Sequence, residues 1–168
     1  MLQRSPAAGA VRAITRFWPL GLALVAPLAS GAPGDTTRAN LNSDGFESAG
    51  GAGFAAISDD GRFVAFGSDE LVPGDANGAG DIFVRDRLGG VTTMVSVATD
   101  GSQGEITSNQ PSISADGRHV FFLSTSTQLV GDDTNGALDL FAHDRYTGVT
   151  QRVSVGSGGI QSNSYSHW

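Results

Sequence analysis

The chain of 168 residues contains no cysteine and no lysine, and all ten of its basic residues are arginines. The lack of cysteine excludes disulfides, cysteine-based zinc sites and thiol nucleophiles. Seventeen acidic residues give a net charge of −7 at pH 7, which argues against a nucleic-acid partner, because such partners need clustered cations. With 24 glycines and only 16% charged residues, the composition also argues against an all-helical protein or a coiled coil.

The N-terminal segment 1–31 has the three parts of a secretory signal. Three arginines and no acidic residue accompany an apolar run from Phe17 to Leu28, and small residues follow it. The run is shorter than the roughly 20 residues of a membrane-spanning helix, and two prolines interrupt it. We therefore predict a signal peptide at 1–31 and a secreted or periplasmic protein with no membrane span after cleavage. An uncleaved anchor and a disordered extension are the alternatives.

The rest of the chain repeats itself, since the segment 57–66 returns at 113–122 and the segment 71–83 returns at 129–141. Residues 57–68 and 71–103, compared with their partners, are identical at 26 of 45 positions, which indicates an internal duplication. The chain then divides into the following segments: a partial repeat at 32–56, a first repeat at 57–112, and a second repeat at 113–168 with an irregular tail.

Each repeat contains four apolar segments separated by turn residues, a pattern typical of short strands. In the second repeat the predicted strands are 111–114, 120–123, 139–143 and 150–155. The second strand is apolar without alternation, so we expect both of its faces to be covered. The last strand alternates, with Val153 and Val155 on one face and Arg152 and Ser154 on the other. The sequence therefore predicts four-stranded antiparallel sheets.

Two motifs recur in the repeats. P-x-[IV]-S-x-D-G-R-x-[VIA]-x-F spans 111–122 and returns without its proline at 55–66, and [DN]-[IVL]-[FY]-[VA]-x-D spans 81–86 and 139–144. With these motifs the chain resembles the TolB-like, WD-repeat-like β-propeller family of exported bacterial proteins. The resemblance implies an all-β fold of propeller blades, with two full repeats and partial flanking repeats, and a periplasmic or extracellular role in binding and scaffolding.

A closed propeller has about four to eight blades, and the sequence supplies two with partial flanks. We expect either that several copies complete a ring as a homo-oligomer or that the chain is part of a longer product. A short open stack of sheets is the third alternative. Two blades alone would leave two apolar faces in contact with water.

The loop between the second and third strands is the best candidate for a site. Aspartate and asparagine alternate around an Asn-Gly pair in both repeats, and the candidate calcium ligands are Asp75, Asn77, Asp81, Asp133, Asn135 and Asp139. Calcium prefers six to eight oxygen ligands on a flexible loop, and these loops resemble the D-x-[DN]-G-x-x-D loops of calcium-stabilised repeat proteins. The alternative is that the same side chains cap the turn, and both can hold.

No catalytic constellation recurs. The histidines differ between the repeats, and His143 and Asp144 are adjacent on a strand and so point to opposite faces. The Asp-Arg pairs at 86–87 and 144–145 form either an exposed charged ring or a cap on the hairpin, with the arginine covering apolar surface. We predict a non-enzymatic protein- or glycan-binding module. The alternative is a propeller fragment of a larger secreted hydrolase or lyase.

Overall fold

The structure is a computed structural model that describes residues 36–161. The predicted signal peptide and the predicted irregular tail after Gln161 lie outside the described residues. Within 36–161, no helix is long and apolar enough to cross a membrane.

Eight strands form two four-stranded antiparallel sheets. Sheet 1 consists of β1 (Ala52–Ile57), β2 (Phe63–Ser68), β3 (Asp81–Asp86) and β4 (Val91–Met94). Sheet 2 consists of β5 (Ser108–Ile113), β6 (His119–Ser124), β7 (Asp139–Asp144) and β8 (Val149–Arg152). Each sheet keeps chain order, so every strand pairs with its sequence neighbour, as in a propeller blade. The predicted all-β class and the four-stranded sheets are confirmed; residues 36–161 do not form a closed ring.

The two sheets pack face to face around one apolar core. Sheet 1 and the residue that follows it contribute Phe63, Ala65, Ile82, Val84 and Val95, and sheet 2 and its loop contribute Val120, Phe122, Leu129 and Phe141. The rings of Phe122 and Phe141 stack with their centroids 5.8 Å apart. Burial of this much apolar surface between sheets is the main force that holds adjacent repeats together.

The outer faces of the two sheets differ in how far their side chains are buried. On sheet 1, Val64, Phe66 and Phe83 are buried, and Ala39 packs against them. On sheet 2, Phe121 is only half-buried. The expectation that the second strand is covered on both faces is therefore confirmed for β2 and wrong for β6, because no described residue forms a layer over that face.

The last strand of sheet 2 is shorter than the predicted strand 150–155. Strand β8 ends at Arg152, and Arg152 is 7% exposed whereas Val153 is 39% exposed. Val153 lacks a covering sheet among residues 36–161. The arginine turns inward because buried carboxylates lie next to it.

A short linker hairpin recurs three times, each closed by one isolated bridge. The bridges are Leu41–Glu47, Val97–Gln103 and Val155–Gln161. The first hairpin contacts the last strand of sheet 1, where the Thr92 N–H donates to Ser43 Oγ over 3.1 Å. The second contacts the last strand of sheet 2 in the same way, where the Thr150 N–H donates to Thr99 Oγ1 over 3.0 Å. Each of these two hairpins thus joins one repeat to the next.

Candidate cation-binding loops

The candidate loops lie between β2 and β3 and between β6 and β7. Asp81 and Asp139 are the first residues of β3 and β7 and are almost completely buried. Ser96 Oγ donates to Asp81 Oδ1 over 2.6 Å, and Ser154 Oγ donates to Asp139 Oδ1 over 2.5 Å. Burial raises the pKa of Asp81, and hydrogen bonds from Ser96 and Asn77 partly oppose that rise. Each serine therefore holds one oxygen of the strand carboxylate in a fixed position.

The asparagines cap the turns. Asn77 Oδ1 accepts a hydrogen bond from the Ala79 N–H over 2.9 Å, and Asn135 Oδ1 accepts one from the Ala137 N–H over 3.0 Å. In the first loop Asn77 Nδ2 also donates to Asp81 Oδ2 over 2.8 Å. The next residue, Gly78, has φ +66°, which a side-chain-bearing residue adopts only at a cost. The capping interpretation is confirmed for both asparagines.

A glutamine from the linker hairpin fastens each loop, a contact that the sequence analysis missed. Gln103 Nε2 donates to the Gly74 carbonyl over 2.8 Å, and Gln103 Oε1 accepts from the Ala76 N–H over 3.3 Å. Gln161 makes the equivalent contacts, accepting from the Thr134 N–H over 3.4 Å. The recurrence of both glutamines at corresponding positions was the available signal.

In the second loop an arginine lies between the two aspartates. Arg152 Nη1 is 3.3 Å from Asp133 Oδ1 and 3.9 Å from Asp139 Oδ2, and the side chains of all three residues are at most 2% exposed. Burial raises the pKa of Asp133, and the charge of Arg152 lowers it in part. Arg152 is thus a site residue that the sequence analysis placed on a strand face without linking it to the loop.

In the first loop the corresponding position is Met94. Met94 pairs with Phe83 just as Arg152 pairs with Phe141. Asp75, the counterpart of Asp133, is 6% exposed, and no donor within residues 36–161 reaches its buried Oδ2. Burial, and next the negative charge of Asp81, raise the pKa of Asp75. The same pair of carboxylates therefore has an internal cation in sheet 2 and none in sheet 1.

The described residues contain no group of three or more histidine, cysteine, aspartate or glutamate side chains arranged to hold a metal ion. Among the six predicted ligands each loop offers two carboxylates, and Asp132 adds a third beside Arg152 in the second loop. Both asparagine amide oxygens are engaged by backbone N–H groups. Calcium binding by the six predicted ligands stays a prediction.

The Asp-Arg pairs cap the hairpins between the third and fourth strands. Asp86 Oδ1 accepts from the N–H groups of Leu88 and Gly89, and Arg62 donates to both of its oxygens. These hydrogen bonds, above all those from Arg62, lower the pKa of Asp86 to about 2. Arg145, of the second pair, lies 4.3 Å from the centroid of the Phe63 ring. The capping interpretation of these pairs is confirmed, and Arg145 covers apolar surface between the sheets.

His143 is held inside sheet 2. It is 6% exposed, and its Nδ1 lies 2.9 Å from Thr150 Oγ1. Burial lowers the pKa of His143, and the charge of Asp144 opposes that change in part. Arg85 occupies the same position in sheet 1 and donates to Thr92 Oγ1 over 3.1 Å. The two side chains therefore share a structural role in bonding the threonine of the last strand.

No protein-family model and no curated protein matches the chain. The solved structures that are similar to it include the following two. A protein assigned as TolB from Agrobacterium tumefaciens has 19% identity and a TM-score of 0.44 over 64% of this chain. TolB from Acinetobacter baumannii has 18% identity and a TM-score of 0.42 over 68% of this chain. The chain spans 32% and 23% of the lengths of these two proteins. Both are TolB proteins, the group that the repeat motifs resemble.

Proposed function

We propose that the chain is an exported, non-catalytic β-propeller protein that binds a protein or a glycan, and that its copies associate through sheet 2 to extend the stack of blades. The observation that carries the proposal is the unequal exposure of two equivalent valines. Val95 is 2% exposed because sheet 2 covers it, whereas Val153 is 39% exposed. A repeat of this kind buries its apolar face only against a neighbour.

The surface offered for association is the open face of sheet 2, formed by Phe121, Leu140, Ala142 and Val153. The first three are half-buried. Their counterparts in sheet 1 are all between 0 and 2% exposed, and they are Ala65, Ile82, Val84 and Val95. Those counterparts pack on a second sheet, so the same contact made by another copy would cover the open face.

Ring closure would have a structural cost at the linker hairpins. Residues 41–47 lie on sheet 1 in the way that 97–103 lie on sheet 2. In a ring of copies, the 155–161 hairpin of one copy would lie on sheet 1 of the next copy. Residues 41–47 of that next copy already occupy this surface. One of the two hairpins must therefore leave when the ring closes, and removal of residues 32–47 favours closure.

Light scattering on a size-exclusion column tests the association. A single species of three or four copies supports a closed ring, because two-bladed units then supply six or eight blades. Val153→Asp in the same protein is expected to give a monomer, whereas Leu88→Asp, a substitution of an exposed residue outside the open face, leaves the mass unchanged. A monomeric or polydisperse wild-type protein would contradict the proposal and would favour a fragment of a longer product.

The proposed ligand surface is the groove between β1 and β5. It has a volume of about 450 Å³, and its lining residues are Phe54, Ala55, Gln110, Pro111 and Ser112. Phe54 and Gln110 occupy equivalent bulges and have φ angles of 41° and 50°. Strained backbone of this kind is concentrated at functional sites, and the exposed Phe54 ring can stack on a sugar or on an apolar side chain. The test is binding of the purified chain to a panel of soluble polysaccharides. Binding by the wild type that is lost in Phe54→Ala supports a glycan as the ligand.

A further inference from the structure

Residues of the first repeat that have no counterpart in the second meet in one pocket. The glycine-rich segment 50–53 corresponds to 106–109, which contains no glycine. Asp69 lies in the turn after β2, where the second repeat has the segment 125–128 and no acidic residue. Phe54 also has no aromatic counterpart in β5. The second repeat forms the same sheet without these residues, so the fold of a blade does not require them.

The pocket has a volume of about 340 Å³ and adjoins the groove between β1 and β5, since Phe54 lines both. Glycines leave room for the carboxylate of Asp69 on its wall. A Cβ atom at Gly50 would overlap Asp69 Oδ2, and one at Gly80 would lie 3.5 Å from Asp69 Oδ1. The carboxylate therefore lies between two segments of bare backbone, in space that a side chain at Gly50 would fill.

The polar groups of this pocket have unused hydrogen-bonding capacity. Ser48 Oγ donates to the Asp69 carbonyl over 2.9 Å, but no donor or cation within residues 36–161 contacts the Asp69 carboxylate. Thr107 Oγ1 accepts from the Gly80 N–H over 3.4 Å and keeps its own proton for donation. The half-buried Asn109 side chain makes no hydrogen bond within the same residues. Both acceptors and donors are thus available to a ligand.

We propose that this pocket binds an uncharged sugar unit of a glycan, with the Asp69 carboxylate accepting hydrogen bonds from two neighbouring hydroxyls. The Phe54 ring packs on the C–H face of the adjoining unit in the groove. The inference rests on the ligand groove proposed above and names the class of glycan that the groove takes.

The mixture of donors and acceptors favours a sugar over a basic side chain. A sugar hydroxyl both donates and accepts, so it can use the Asp69 carboxylate together with the Thr107 hydroxyl and the Asn109 amide. An ammonium or guanidinium group only donates, and it would leave the donors of Thr107 and Asn109 without partners. Sugars that carry a carboxylate or sulfate are disfavoured, because their charge repels Asp69 and the lining of the pocket contains no arginine.

The first test is isothermal calorimetry of the purified chain with the neutral hexasaccharides cellohexaose, maltohexaose and chitohexaose, and with alginate as a polymer of uronic acids. We expect binding of at least one neutral hexasaccharide and no binding of alginate. Asp69→Asn removes the charged acceptor at nearly constant shape and should weaken binding by about tenfold or more. Glu70→Gln, the matched control, removes the same charge from the exposed neighbour, which does not line the pocket, and keeps the wild-type affinity.

A second variant keeps the carboxylate but moves it. In Gly50→Ala the new Cβ atom displaces Asp69 Oδ2, so binding should weaken about as much as in Asp69→Asn. The double variant should bind no more weakly than Asp69→Asn alone, because both changes remove the same contact. Gly131→Ala, whose Cβ atom would meet nothing within 4 Å, is the control. If Gly50→Ala does not fold, Asp69→Asn still decides the matter.

The possible contradicting results separate this inference from the proposed function. Equal affinity of the wild type and Asp69→Asn for a glycan whose binding is lost in Phe54→Ala would overturn the inference and leave the proposed function standing. Alginate bound as tightly as the neutral hexasaccharides, or a hexalysine peptide bound more tightly than they are, would also overturn it. No binding of the wild type to any neutral glycan would overturn both the inference and the glycan form of the proposed function.

Discussion

Sheet 1 and sheet 2 carry the same loop on the same strand order, but they complete it with different charges. Arg152 lies against Asp133 and Asp139 in sheet 2, whereas Met94 occupies the corresponding strand position in sheet 1 and packs against an apolar cluster. The sheets also differ in the exposure of equivalent residues, since Val95 is buried and Val153 is exposed. Duplication thus preserved the backbone and its caps, while single substitutions and neighbouring layers changed the buried charge and the exposed apolar surface of each repeat.

The largest effect is expected from a charge placed at the two equivalent valines. Val95→Asp buries an unpaired carboxylate between the sheets and should lower the free energy of unfolding by about 3 kcal/mol or more. Val153→Asp, its matched partner, should lower it by less than about 1 kcal/mol at protein concentrations too low for copies to associate. Urea denaturation of both variants at such concentrations measures the difference, and equal losses would contradict the exposure of Val153 in the single chain.

Removal of the buried arginine is expected to have the next largest effect. Arg152→Met in calcium-free buffer leaves Asp133 and Asp139 without their cation and should cost about 3–5 kcal/mol of stability. Arg62→Met breaks a surface ion pair with Asp86 and should cost much less, because water screens that pair. If both variants unfold at the same urea concentration, the buried contact of Arg152 contributes little.

The pH dependence should separate Asp75 from Asp86. The pKa of Asp75 is raised in the folded state, so the native state binds this proton more tightly than the unfolded state does. In EDTA, stability relative to Asp75→Asn should therefore increase as pH falls from 7 through the folded pKa of Asp75. Met94→Arg should remove this dependence. A gap between wild type and Asp75→Asn that stays constant from pH 8 to pH 4.5 would contradict the assignment.

The pH dependence of stability that Asp86 causes has the opposite sign. Its folded pKa of about 2 lies below the ordinary value of 3.8. Asp86 therefore contributes its full stabilisation of the folded state above pH 3.8, and this stabilisation is lost as pH falls through about 2. The acid limb of the unfolding curve should therefore shift to higher pH in Asp86→Asn, and the region above pH 5 should not change in slope.

The smallest effects should come from the two strained bulges. Phe54→Gly and Gln110→Gly each relieve a positive φ angle and should alter stability by less than about 1 kcal/mol. A large loss in Phe54→Gly alone would show that its exposed ring packs against another copy. Thermal unfolding of both variants at the same protein concentration measures this.

Most of the fold could be predicted from sequence because each repeat contains its own turns and apolar strands. The recurrence of 57–66 at 113–122 predicted the duplicated sheets, and the Asn-Gly pairs predicted the turn geometry that Asn77 and Asn135 stabilise. Burial of β6 was less predictable, because it depends on whether another sheet covers Phe121 and not on the strand's own residues.

The candidate site was only half predictable for a similar reason. Asp75 and Asp81 lie close together in sequence, but Arg152 reaches its loop from the end of β8, two strands further along the chain than Asp133. The replacement of arginine by methionine in the first repeat looks like a surface change in an alternating strand. Only the packing of β8 shows that this position is inside and that the substitution removes a buried charge.

The most direct test of the central comparison is urea denaturation of two exchange variants, Met94→Arg and Arg152→Met, beside the wild type. The account predicts that Met94→Arg raises the free energy of unfolding, because it brings a cation to the loop of Asp75, and that Arg152→Met lowers it. A lower free energy of unfolding in Met94→Arg, or an unchanged one in Arg152→Met, would contradict it.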